Sequence, residues 1–181
     1  MKASSAMFVL VSGLLALSGG GCGYNQSGGA NNPLEGGYRW NSLFREDVQT
    51  VAVPVFTNVG FHRGLELRLT QAVIRQLEAQ APYKVVPLER ADTVLEGQLT
   101  AVTTATLDRD FQTNLPREQR MTLSVDLLWK DLRSGRILVE RKSIQQDAVY
   151  FPSLGEGQFA GLQQAIERLA MAIVQELQAD W

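Results

Sequence analysis

An alternation of apolar and polar residues between Arg120 and Lys130 constrains the fold more than any other feature of this sequence. Large apolar residues occupy every second position of the stretch: Met121, Leu123, Val125, Leu127 and Trp129. Only Leu128 departs from the pattern. Because successive side chains of a strand point to opposite faces, the period of two predicts a strand with one face on an apolar core and the other in water.

The residues on either side of this strand predict a hairpin. A short polar stretch, 131–135, ends in Gly135 and leads into a second apolar segment that begins at Ile137. This arrangement is typical of two antiparallel strands joined by a turn, and we expect the hairpin to occupy about 119–149. The polar residues 103–116 that precede it predict a frayed strand end followed by a loop.

Two segments have the period of amphipathic helices. The first, about 64–81, has Leu65, Leu69, Val73 and Leu77 on one side, and the second has Phe159, Leu162, Ile166, Leu169, Ile173 and Leu177. Further strands are predicted at 50–56, where Pro54 requires an edge or a bulge, at 84–86 and at 94–102. The order β-α-β-β-β-α predicts an α+β two-layer sandwich, with about four strands in a mixed sheet and both amphipathic helices on one face.

The N-terminus has the pattern of an exported lipoprotein. Lys2 precedes an apolar run, 7–17, that has the length of a signal-peptide core and is too short to span a bilayer. Small residues then lead to Cys22, the one Cys of the chain, and this junction resembles a bacterial lipoprotein processing site. An unpaired thiol in an oxidising compartment favours acylation of Cys22 over a free Cys.

We therefore expect a signal peptide at 1–21, a lipidated Cys22 that carries palmitate and begins a flexible tether at 22–37, and one domain at 38–181. The lipid would anchor the protein to a membrane. The alternative is signal cleavage near Ala16 or Ser18, which would release a free exported protein.

Charge and composition exclude several classes of protein. The net charge of -2 argues against a nucleic-acid binder, which needs a basic surface. The one His, His62, has no nucleophile motif, paired carboxylates or metal-ligand spacing beside it. We therefore expect no metal and no cofactor, and an enzyme is the weakest functional hypothesis.

Several short segments, taken in order, carry a family resemblance. They are Cys22-Gly23-Tyr24, TVAVPVFTN at 50–58, an amphipathic helix, TVLEGQLT at 93–100, and the alternating strand that closes in DLRSG at 131–135. From about 22 to 177, the chain resembles the LptE family of lipopolysaccharide-assembly lipoproteins. The resemblance implies a two-helix, four-stranded sandwich on the periplasmic side of the outer membrane, which sits within the barrel of the translocon protein LptD and binds lipopolysaccharide.

The same order also resembles the TolB-N-terminal-like folds of penicillin-binding-protein activator lipoproteins and curli-secretion lipoproteins. That alternative implies a scaffold or activator of a different envelope machine. It predicts a different protein partner for the same lipid-anchored domain.

The hairpin carries the candidate ligand residues. Residues 117–142 contain seven of the basic residues and only four acidic ones. Six candidates could bind the phosphates of lipid A, since Arg offers bidentate geometry and Lys a point charge: Arg120, Lys130, Arg133, Arg136, Arg141 and Lys142. The alternative is a solvated sheet face with mixed charges.

Overall fold

The computed structural model describes residues 43–60 and 62–178. The predicted signal peptide, the lipidated Cys22 and the tether lie outside the described residues. The described strands are β1 Thr50–Ala52, β2 Thr57–Asn58, β3 Lys84–Val85, β4 Thr93–Arg109, β5 Pro116–Asp131 and β6 Ile137–Tyr150. The described helices are α1 Leu65–Gln80 and α2 Gln158–Gln175.

The strands form one mixed sheet in the order β3-β1-β4-β5-β6, with β2 beside β4. β1 runs parallel to β3 and β4, whereas β4, β5 and β6 are successively antiparallel. The α+β class and the mixed sheet are confirmed. The predicted count of about four strands is wrong, because the described sheet has six.

Pro54 accounts for one of the additional strands. It has no backbone N–H to donate to a ladder, and the predicted strand 50–56 is interrupted there. Ala52 pairs with Val94 and Thr57 with Gln98, so the interrupted chain carries one extra residue relative to β4. The predicted bulge therefore divides one strand into β1 and β2.

The predicted hairpin is confirmed, and its two strands extend slightly beyond the predicted range 119–149, from Pro116 to Tyr150. All five alternating apolar residues of β5 are buried, and Leu95 and Leu99 of β4 lie opposite Trp129 and Val125. The frayed strand end and loop that were predicted at 103–116 contain more strand than expected, because β4 continues to Arg109 and β5 begins at Pro116. Most side chains of this extension are exposed on both faces, so it has no apolar period that the sequence could reveal.

Both helices pack on the face of the sheet that carries the buried β5 residues, and the two helices contact each other. The predicted inward residues of α1 are all buried, as are Ile166, Leu169 and Ile173 of α2. Phe159 differs, because it is 62% exposed in the first turn of α2, where the Arg68 guanidinium lies 4.4 Å from its ring centroid. In the described part of the chain, no helix is long and apolar enough to cross a membrane.

Candidate functional site

The six predicted phosphate-binding residues do not form one cluster. Arg120 and Lys130 are ten residues apart on β5, which corresponds to about 33 Å. Arg133 and Arg136 lie around the turn between β5 and β6, and Arg141 lies on β6 opposite Leu127. The candidates are therefore spread over the length of the hairpin.

Each of the six cations has a carboxylate partner. Three pairs are within hydrogen-bonding range: Lys130 Nζ lies 2.9 Å from Glu96 Oε2, Arg141 Nε lies 2.7 Å from Glu176 Oε2, and Arg133 Nη2 donates to Asp92 Oδ1. Arg120 Nε lies 3.4 Å from Asp147 Oδ2. The two longest pairs are Lys142 Nζ with Glu140 Oε1 at 3.8 Å and Arg136 Nη2 with Asp47 Oδ2 at 4.0 Å. Several of these partners come from outside the hairpin. The local excess of positive charge in the sequence is therefore largely balanced in the fold.

Arg133 is held in a structural network. Its partner Asp92 accepts hydrogen bonds from the backbone N–H and the hydroxyl of Thr50, at 3.1 and 2.7 Å. The hydrogen bonds from Thr50, with the charge of Arg133 in addition, hold the pKa of Asp92 below its ordinary value. Arg133 thus helps to join the β5–β6 turn to β1.

Lys142 and Arg136 are the most available of the six. Their ion pairs, at 3.8 and 4.0 Å, are the longest of the six, and their side chains are 77% and 63% exposed. Exposed ion pairs of this kind contribute only about 0–1 kcal/mol, so an anion of higher charge can displace the carboxylate.

A groove on the outer face of the sheet, opposite the helices, brings some of these residues together. Its volume is about 490 Å³, and it crosses β4, β5 and β6 beside the Pro54 interruption. Pro54, Val55 and Leu128 supply apolar surface. Leu128 is the one residue that broke the alternation of β5, and it is half-buried on the otherwise polar face.

Charged and polar groups surround this apolar surface. The acidic residues that line the groove are Glu96, Asp126 and Glu140, and the basic residues are Arg141 and Lys142. A bulge in β6 shapes this side: Ser143 has a φ of 56°, and its N–H donates to Asp126 Oδ1 at 2.8 Å. The groove therefore combines an apolar surface with an exposed cation, which suits a ligand that has an apolar chain and an anionic group.

The groove was missed by the sequence analysis, although two signals pointed to it. Leu128 placed an apolar residue on the wet face of β5, and Pro54 interrupted the strand beside β4. What the sequence could not supply is the pairing that brings residues 54–57, 96–98, 126–128 and 140–142 together.

Two polar residues outside the groove, His62 and Asp110, make structural hydrogen bonds. His62 is exposed in a loop, and its carbonyl accepts a hydrogen bond from Asn58 Nδ2 at 2.7 Å. Asp110 accepts from the N–H groups of Gln112 and Thr113, and these bonds lower its pKa. Across 43–60 and 62–178, no group of three or more His, Cys, Asp or Glu residues could hold a metal ion.

Comparison with known families gives one match that covers most of the chain. The family model described as LptE, lipopolysaccharide-assembly, matches residues 48–180. A search of curated proteins gives no significant match.

The solved structures that are similar to this chain have low sequence identity to it. A hypothetical protein from Chlamydia trachomatis has a TM-score of 0.50 and 10% identity, over 74% of this chain and 99% of that one. An uncharacterized lipoprotein B from Nitrosomonas europaea has a TM-score of 0.49 and 12% identity, over 73% and 83% of the two chains. A PelC dodecamer from Paraburkholderia phytofirmans has a TM-score of 0.48 and 16% identity, over 75% and 93%. The first of these likenesses shows a shared fold.

Proposed function

Since the chain belongs to the LptE family of lipopolysaccharide-assembly proteins, we propose that it is a non-catalytic outer-membrane lipoprotein that assists lipopolysaccharide transport and insertion. It acts as the plug or chaperone of an LptD-type barrel. Cys22 carries the lipid anchor, and the domain at 38–181 works on the periplasmic side of the membrane. It needs no cofactor and no nucleic acid.

The outer face of the sheet is the observation that carries this proposal. A domain enclosed in an outer-membrane barrel meets a polar lumen, so its surface should be polar and its charges should be balanced. The ion pairs Lys130–Glu96 and Arg120–Asp147 meet that requirement on β4, β5 and β6. A face of this kind supports docking inside a lumen without leaving an unpaired charge in the interface.

The groove on this face supports lipopolysaccharide as the ligand. Acyl carbons would lie on Pro54, Val55 and Leu128, while a phosphate would meet Lys142. A phosphate carries more charge than the carboxylate of Glu140, which lies 3.8 Å from Lys142, and it accepts charge-assisted hydrogen bonds. Arg136 offers a second exposed cation near the turn of the same hairpin.

Reversing the two available cations tests this assignment. We expect the double variant Arg136→Glu, Lys142→Glu to weaken lipopolysaccharide binding by about tenfold or more, since each reversal replaces an attraction to phosphate by a repulsion. The affinity of the parent protein should also fall with added salt, because exposed charges are screened over about 8 Å at physiological ionic strength. The measurement is a titration of purified protein with lipopolysaccharide at several salt concentrations.

The control must reverse two cations outside the hairpin. Arg63→Glu with Arg90→Glu makes the same change of charge, and both residues are exposed. Arg68 is unsuitable because it lies over the Phe159 ring, and Arg133 is excluded because it holds Asp92. Equal losses in the two double variants would reduce the effect to bulk electrostatics and remove the hairpin as a site.

A further inference from the structure

Two free edges of the sheet, that of β6 and that of the upper half of β4, are built differently. β6 carries Glu140, Arg141 and Lys142 in its middle, followed by the bulge at Ser143. Charges and bulges on an edge strand hinder the addition of another strand. The edge of β6 is therefore protected.

The upper half of β4 lacks these protections. Beyond Leu99, where β2 ends its pairing, the described residues place no strand on the side of β4 opposite β5 as far as Arg109. Residues 99–107, LTAVTTATL, contain no charge, Pro or Gly, and five of them are β-branched. The pairing with β5 is regular from Ala101 to Thr106, between two irregularities. This edge is thus long, regular and rich in residues that favour strand pairing.

We propose that residues 101–106 of β4 pair antiparallel with the same residues of a second copy of this chain. A two-fold axis between Thr103 and Thr104 places these two residues opposite each other, and it places Ala101 opposite Thr106. Both edges are uncharged over this length, so no like charges meet across the axis. The pairing joins the two hairpins into one continuous sheet. This self-association does not depend on the proposed role in lipopolysaccharide assembly.

A second observation favours a copy of this chain over a foreign strand. The turn after β4 presents Phe111, which is fully exposed, and hydrogen bonds to Asp110 hold the turn in place. At the other end of the edge, Val59 is 65% exposed, and its N–H donates to Leu99 O at 3.0 Å. The second copy leaves the shared edge after Leu107, and the turn that follows brings its Phe111 towards this Val59. The symmetry repeats the contact. A strand from another protein gains the backbone pairing without this apolar contact.

The test is the concentration dependence of mass for the full chain in detergent micelles, measured by sedimentation equilibrium. We expect a reversible dimer. Thr104→Lys should weaken the self-association by about tenfold, because it places two like charges near the axis. Phe111→Ser should weaken it as well, and neither change removes a buried side chain.

The control is Gln145→Lys, which adds the same charge to the exposed edge of β6. It should leave the dimer intact. A chain that stays monomeric at all concentrations, or that pairs this edge with a strand of a barrel protein instead, would overturn the proposal. So would a dimer that Thr104→Lys and Gln145→Lys affect equally. Lipopolysaccharide binding is measured separately at Lys142, so a failure here leaves the proposed function standing.

Discussion

Trp129→Ala is expected to destabilise the domain by about 3–5 kcal/mol, the usual cost of removing a large buried aromatic side chain. Trp129 is fully buried at the end of the inward face of β5, and its ring centroid lies 5.7 Å from that of Tyr83. Leu169→Ala, in the middle of the buried face of α2, should cost about 2–5 kcal/mol for the same reason. The free energy of unfolding, measured by denaturant titration, checks both values.

A conservative variant separates the volume of Trp129 from its polarity. The indole Nε1 is buried and has no hydrogen-bond partner among the described residues. Trp129→Phe therefore loses volume but no hydrogen bond, and it should cost clearly less than Trp129→Ala.

Thr122→Ala serves as the control on the opposite face of β5, and it should change the stability by less than about 0.5 kcal/mol. If Trp129, Leu169 and Thr122 gave equal and small effects on replacement by Ala, the two faces of the strand would be assigned wrongly.

The second large effect is expected at Cys22. Cys22→Ser removes the thiol that lipid attachment requires, so the variant should accumulate as an unprocessed precursor or leave the membrane fraction. Fractionation of cells and labelling with palmitate measure this directly. Ser27→Ala in the same segment keeps the thiol and should behave like the parent. A Cys22→Ser protein that matured and fractionated normally would contradict the lipoprotein assignment.

The parts of the fold that the sequence predicted well are those with one buried face. The alternation in β5 and the helical period in α1 both report local burial, and the structure buries the same residues. The extension of β4 to Arg109 has most of its side chains exposed, and backbone pairing with β5 alone defines it. Its sequence therefore predicted only a frayed strand end and a loop. The prediction that Phe159 lies on the buried face of α2 was wrong for a related reason. The spacing of apolar residues in α2 does not show that its first turn is exposed to solvent.

The candidate site could be predicted only in part. The basic residues within 117–142 are evident from the sequence. Their partners Asp47, Asp92 and Glu176 lie outside this segment and form ion pairs with them only in the folded chain. The groove likewise depends on tertiary pairing between distant segments. A linear sequence shows which charges are present, whereas their balance is a property of the folded surface.

The role inside a barrel is the central claim, and affinity purification of the tagged lipoprotein from detergent-extracted envelopes tests it most directly. We predict that a large outer-membrane barrel protein co-purifies in nearly equal amounts and that lipopolysaccharide accompanies the pair. Recovery of a penicillin-binding protein or a secretion pore, with no barrel translocon, would contradict the claim and favour the scaffold of a different envelope machine.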